Sequence, residues 1–152
     1  MYGRKEEMNH LKELYDSNRF EFLVMYGRRR VGKTTILQEF AENTNSIFFP
    51  AREKNDALNL EDFSKMIQYH FDKNFIASFQ SWEDALNYIG AKVEQRTAVI
   101  IDEFPYIIEE NPSIKSILQH TIDHNWKNKN IFLILCGSSV SIMESDVMGR
   151  KS

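Results

Sequence analysis

A single cysteine, Cys136, leaves this chain unable to close an internal disulfide, so its fold has to rest on a packed core, as is usual in a reducing compartment. It has only three prolines and six glycines in 152 residues, too few for a collagen-like or low-complexity chain. No apolar run approaches the ~20 residues needed to span a bilayer. The opening MYGRKEEMNH lacks the apolar stretch of a secretory signal, which makes the cytoplasm the default location and gives no reason to expect a membrane partner. Neither sign of charge dominates. Nineteen Lys and Arg against 22 Asp and Glu leave a net charge of −3, with a pI near 5.8, so nucleic acid is not supported as a partner by the chain's own charge. The hydrophobic share of 42% is that of an ordinary globular protein, and the length suits one domain with a real core.

The chain alternates short apolar runs with helical periodicity, without repeats or linkers. Strands are predicted at 20–26, 46–50, 97–101 and 131–136. The first, third and fourth are nearly continuous in apolar residues, as in parallel strands covered on both faces. An N-terminal helix is predicted over 3–18 on Met8, Leu11 and Tyr15, and a second helix after the glycines on Ile36, Leu37 and Phe40. Two further stripes are Phe63, Met66, Ile67, His70 and Phe71, and Trp82, Ala85, Leu86, Ile89 and Val93, the latter with Ser81 as N-cap. Asn111-Pro112 is expected to open the last of these helices, with proline in its first turn, Ile114, Ile117, Leu118 and Ile122 facing inward, and Lys127 and Lys129 near its end. Alternation of this kind predicts a three-layer α/β fold with a mainly parallel sheet. Ligands of such sheets bind at the carboxyl ends of the strands.

Gly27-Arg28-Arg29-Arg30-Val31-Gly32-Lys33-Thr34 fits G-x-x-x-x-G-K-[ST], between a strand and a helix as that motif requires. Gly27 and Gly32 can take backbone conformations closed to other residues, which lets successive N–H groups, those of Arg28 to Val31 included, face phosphate oxygens. The helix that follows adds its positive end. Lys33 supplies a point charge for the β- and γ-phosphates and the Thr34 hydroxyl ligates Mg2+; Thr35 completes a loop of 27–35. Arg28, Arg29 and Arg30 hold variable positions, and at least two of them read as solvated loop cations.

The strand at 97–101 runs into Asp102-Glu103. In a phosphate-loop enzyme an aspartate here holds Mg2+ beside the Thr34 ligand, and a glutamate after it can orient and deprotonate the attacking water. Two acids at a strand end are weak evidence alone; their distance beyond the glycine loop strengthens them. The strand at 131–136 leads to Gly137-Ser138-Ser139, where Ser138 or Ser139 could sense the γ-phosphate or cap a following helix. His70 reads as a core residue. His120 and His124, at i and i+4, have no third metal ligand in view.

These motifs together resemble the archaeal-type ATPase family, P-loop proteins allied to the AAA+ and STAND groups. The resemblance covers nearly the whole chain and rests on Gly3-Arg4-Lys5-Glu6-Glu7, on GRRRVGKTT, on IIDEFPYI at 100–107 and on LCGSSVSIM at 135–143. It implies ATP as ligand, Mg2+ dependence, Arg4 near the adenine and ribose, and a sheet whose acidic-pair strand is separated from the loop strand by the 131–136 strand. Members continue past Gly149-Arg150-Lys151-Ser152 into another strand and a lid. The expectation is therefore a nucleotide-binding core lacking that final strand and lid. The implied activity is slow ATP hydrolysis, with a nucleotide-dependent switch of negligible turnover, or a P-loop kinase, as alternatives. The 20–26 strand would then present an unpaired edge with little protection, favouring self-association or cover by the chain's own terminal segment.

Overall fold

Four apolar runs become four strands of one sheet. The computed structural model describes residues 4–26 and 32–138 of the chain. In order these are α1 (Arg4–Tyr15), β1 (Glu21–Tyr26), α2 (Lys33–Glu42), β2 (Ser46–Pro50), α3 (Asp56–Asp72), α4 (Trp82–Lys92), β3 (Thr97–Asp102), α5 (Pro105–Glu110), α6 (Ile114–His124) and β4 (Ile131–Gly137), with a 3-10 turn at Trp126–Asn128 before β4. All pairings are parallel and the strand order is β1-β4-β3-β2. As the resemblance implied, β4 lies between the loop strand and the acidic-pair strand. The predicted strands stand within a residue of their expected ends.

Because successive residues of a strand face opposite ways, the sheet divides its apolar side chains between two cores. Leu23, Ala98, Ile100, Phe132 and Ile134 meet Leu11 of α1 and Ile36, Leu37 and Phe40 of α2 on one face. Val24, Ile47, Phe49, Val99, Ile101, Leu133 and Leu135 meet α3, α4, α5 and α6 on the other. β3 and β4 are buried along their whole length, which is why they read as unbroken apolar runs. The chain crosses from β1 to the far edge through α2 on one face. It then returns by β3 and β4 through helices on the other. That is a three-layer fold.

The helix ends follow local chemistry. The Ser81 side chain accepts the amide of Asp84 at 3.0 Å to start α4, as its sequence predicts, and Asn55 accepts the amide of Leu58 to start α3. Pro112 does not stand in a first helical turn: α6 begins at Ile114, with Ser113 as cap. The proline that opens a helix is Pro105, in the short α5, where the locked φ and missing N–H cost nothing. Lys127 and Lys129 lie in and after the 3-10 turn, beyond α6. His70 is half-buried rather than a core residue. Its ring packs edge-on against Phe71 at 4.9 Å, with burial first and Lys73 second lowering its pKa.

At the amino ends of the strands Arg96 is buried, 7% exposed. Its guanidinium donates to the carbonyls of Leu14, Tyr15 and Arg19 and to Asn130 Oδ1, and its plane lies 5.7 Å from the rings of Tyr15 and Phe132. One side chain thus holds the end of α1, the entry to β1 and the loop before β4. Arg96→Ala should lower the unfolding free energy by about 3 kcal/mol, since three carbonyls and an amide oxygen lose a charged donor. Arg96→Lys should recover only part of this, because an ammonium cannot reproduce the fork. Urea denaturation of the three proteins measures both differences.

Candidate functional site

Parallel pairing in register brings four strand ends to one rim. Tyr26 lies beside Gly137, Ile101 beside Leu135 and Pro50 beside Asp102. The glycine loop therefore leaves β1 at the same level at which β3 delivers its acids and β4 delivers Ser138.

Gly32 begins α2 with φ 78°, in the left-handed region that glycine enters without a Cβ penalty. It offers no side-chain cap to the first turn, so the amide donors at the start of α2 are not taken by Gly32 and favour an anion. Lys33 and Thr34 follow directly. The Thr34 hydroxyl donates to Asp102 Oδ2 at 2.8 Å across 68 positions of sequence. The other Asp102 oxygen accepts the amide of Glu103 at 2.9 Å. Asp102 is 4% exposed, and both its oxygens are satisfied.

Glu103 stands in the left-handed region, φ 56°, a conformation that costs a residue with a Cβ about 1 kcal/mol or more. The chain turns there because α5 starts at once. The Tyr106 amide donates to the Glu103 carbonyl at 3.0 Å, and the Phe104 amide donates to the Cys136 carbonyl at 2.9 Å. The Phe104 side chain is wholly buried in the larger core. Glu103 itself is half-exposed at the rim.

Lys33 comes within 3.9 Å of Glu7 on α1. Both line a cavity of about 280 Å³ with His10, Leu11 and residues 23–26 of β1. Glu7 is a contact the sequence reading missed; the only signal was its place four residues before Leu11, the buried side chain of α1. Cys136 is buried and interacts with the Asp102 carboxylate.

The structure thus brings Gly32, Lys33, Thr34, Asp102 and Glu103 together, with Thr35 exposed on the first turn of α2 and Ser138 half-buried at the end of β4. Gly27, Arg28, Arg29, Arg30, Val31, Ser139 and the side chain of Arg4 lie outside the described residues. His120 and His124 are not part of the site. Their rings stack at 4.2 Å on the exposed face of α6, and His124 Nδ1 lies 3.0 Å from the His120 carbonyl. Among the described residues no group of three or more His, Cys, Asp or Glu could hold a metal, and no helix is long and apolar enough to cross a membrane.

Comparison with known proteins gives the family and the fold. The family described as an ATPase domain predominantly from Archaea matches residues 1–152. An uncharacterized protein of Methanocaldococcus jannaschii is 36% identical over 149 residues, which cover 98% of this chain and 32% of that protein. An uncharacterized ATP-binding protein of the same organism is 43% identical over 49 residues, 28% of this chain and 83% of that protein. Among solved structures, the Walker-type ATPase PABY2304 of Pyrococcus abyssi superposes with TM-score 0.66 at 21% identity, covering 93% of this chain and 47% of that one. Cdc6p of Pyrobaculum aerophilum superposes with TM-score 0.64 at 15% identity, covering 97% and 43%. The chain thus spans about a third of the first of these relatives and less than half of the solved structures.

The thiol of Cys136 has its pKa raised well above the ordinary cysteine range, by burial first and by the Asp102 carboxylate second. A folded-state pKa above the unfolded value means that the unfolded chain releases this proton first as pH rises. The contribution to stability is therefore complete below about pH 8.5 and declines above it. Folded protein at pH 8 should leave a thiol reagent such as DTNB unreacted, and one thiol per chain should react on adding guanidinium. Rapid reaction without denaturant would contradict this setting for Cys136.

Proposed function

Since the chain belongs to the family of ATPase domains found predominantly in Archaea, we propose that it binds Mg-ATP and hydrolyses it slowly. The observation that carries this reading is the 2.8 Å hydrogen bond from Thr34 to Asp102. It joins the last residue of the glycine motif to the first of the acidic pair, at the carboxyl rim where an α/β sheet binds its ligands.

The roles follow from chemistry and position. The backbone of 27–35 and the start of α2 cradle the phosphates. Lys33, a mobile cation held near Glu7, turns to the β- and γ-phosphates. The residues present suit magnesium, a hard cation that takes oxygen ligands and keeps several waters. The Thr34 hydroxyl would be one such ligand, and Asp102, whose two oxygens each hold a protein donor, would act through water. When bound, Mg2+ neutralises charge developing on the phosphates. Glu103 orients a water toward the γ-phosphate and takes its proton. Ser138 or Ser139 senses that phosphate, and Arg4 lies near the adenine and ribose. A glutamate beside the metal aspartate suits water better than a second substrate, which disfavours a kinase. A nucleotide switch without turnover is the other reading, and Glu103 separates the two.

Lys33→Ala should reduce ATP affinity on the order of 100-fold, by loss of a charge-assisted contact, with the far-ultraviolet circular dichroism unchanged. Equal affinity in a fluorescence titration would remove Lys33 from the phosphates. Glu103→Gln should lower phosphate release about 100-fold while ATP affinity stays within about twofold. A wild type that binds ATP but releases no phosphate would establish the switch instead.

Asp102→Asn should weaken ATP binding with magnesium more than binding in EDTA, because Asp102 acts through the metal and Lys33 through the phosphate. Isothermal titration in both buffers decides it; equal losses would merge the two roles.

Among the described residues β1 is an edge strand of the sheet, and Glu21 is the only charge on it. We expect the chain to self-associate through the edge at 20–26. Light scattering across a range of concentrations should show the mass rising with concentration; a constant monomer mass would refute it.

A further inference from the structure

Glu103 sits in a backbone conformation it would not choose, between two residues that are immobilised. On one side, the Asp102 carbonyl accepts the amide of Ala51 at 2.9 Å, and its side chain is fixed to Thr34 and to the Glu103 amide. On the other, the Phe104 amide is fixed to the Cys136 carbonyl of β4, and the Phe104 carbonyl accepts the Ile107 amide at 2.9 Å. The Phe104 ring is wholly buried between the sheet and its helices. A left-handed residue with a side chain persists only where its surroundings over-determine it. The buried ring is a side-chain part of that constraint that takes no part in the phosphate or metal chemistry.

We propose that Phe104 is a positioning residue for catalysis, acting on the reaction only through Glu103. Its ring holds the first turn of α5 against the core, and its amide ties that turn to the end of β4. Together these fix the direction in which the Glu103 carboxylate leaves the rim. The bond to Cys136 also joins Glu103 to the strand that carries Ser138, so a displacement at the end of β4 moves the carboxylate. The proposal rests on Glu103 activating the water, and its test is arranged so that each can fail separately.

The test is a double-mutant cycle in the full chain. Phe104→Leu and Phe104→Met keep an apolar side chain in the buried site while removing the flat ring. Steady-state kcat and KM for Mg-ATP, and the thermal midpoint, are measured for each in the wild-type and the Glu103→Gln backgrounds. The expected result is a kcat about tenfold lower or less, as for a displaced catalytic group, with KM within about twofold of wild type. In the Glu103→Gln background the same substitutions should change the residual turnover by less than about twofold, because the group they displace is already disabled. Equal fold-losses in both backgrounds would overturn the proposal, as would a lowered thermal midpoint with unchanged kcat or failure of both variants to fold. Phe104 would then be core packing alone. Unchanged turnover in Glu103→Gln by itself would remove Glu103 from the chemistry and the proposal with it, by a result visible before Phe104 is altered.

Discussion

The hydrogen bond between Thr34 and Asp102 can form only if much else is already in place. Thr34 is the second residue of α2, so its direction depends on the left-handed Gly32 that begins the helix. Asp102 is the last residue of β3, so its height depends on the register that sets Thr97 beside Ile131 and Ser46 beside Ala98. A shift of one residue in β3 would turn Asp102 to the opposite face of the sheet, away from α2. The contact is short and neutral-to-charged, yet its net contribution to stability is modest, about 1–3 kcal/mol. What it does is register two elements that the sequence holds far apart.

The opposite pole is fastened by a different chemistry. There the amino ends of the strands and the end of α1 converge on Arg96, and Asn45 extends the network. Its amide nitrogen donates to the Arg96 carbonyl and to Thr97 Oγ1, and its own backbone N–H reaches Tyr15 Oη. No buried side-chain polar atom is left without a partner among the described residues. The sheet therefore has a polar clamp at one end and a polar site at the other, with two apolar cores between them. Three described residues other than glycine take a left-handed backbone, Asn18, Lys73 and Glu103; of these Glu103 stands at the site end.

Strand positions and the layer architecture were legible because β3 and β4 are covered on both faces and so carry no alternation to blur their limits. The glycine loop and acidic pair were legible because their spacing is tied to chemistry. The order of the strands was not: composition is the same whichever way the chain crosses, and only the family resemblance supplied it. Pro112 misled because a proline marks a break without saying on which side of it the helix lies, while the informative proline, Pro105, sat inside a motif read for its acids. Arg96 and Asn59 escaped notice for another reason. A buried polar side chain is recognisable only from its partners, and those of Arg96 are carbonyls that every residue possesses. Asn59 likewise grips the backbone of Arg52 in both directions, holding the loop after β2 close to the rim. Glu7 belongs to the same class, since its partner, Lys33, lies on another element.

The way α1 is held has a mechanical consequence. Twelve residues of helix make a rod of about 18 Å. Its carboxyl end is bolted down through the Leu14 and Tyr15 carbonyls on Arg96, and Leu11 is sunk in the core at mid-length. Its amino end, with Lys5 and Glu6 exposed, meets the described part of the site through the Glu7–Lys33 contact. Such a rod is a cantilever. Drawing Lys33 away from Glu7 would therefore loosen this helix from its amino end, while Met8 and Leu11 on the core and the carbonyls on Arg96 keep the rest in place.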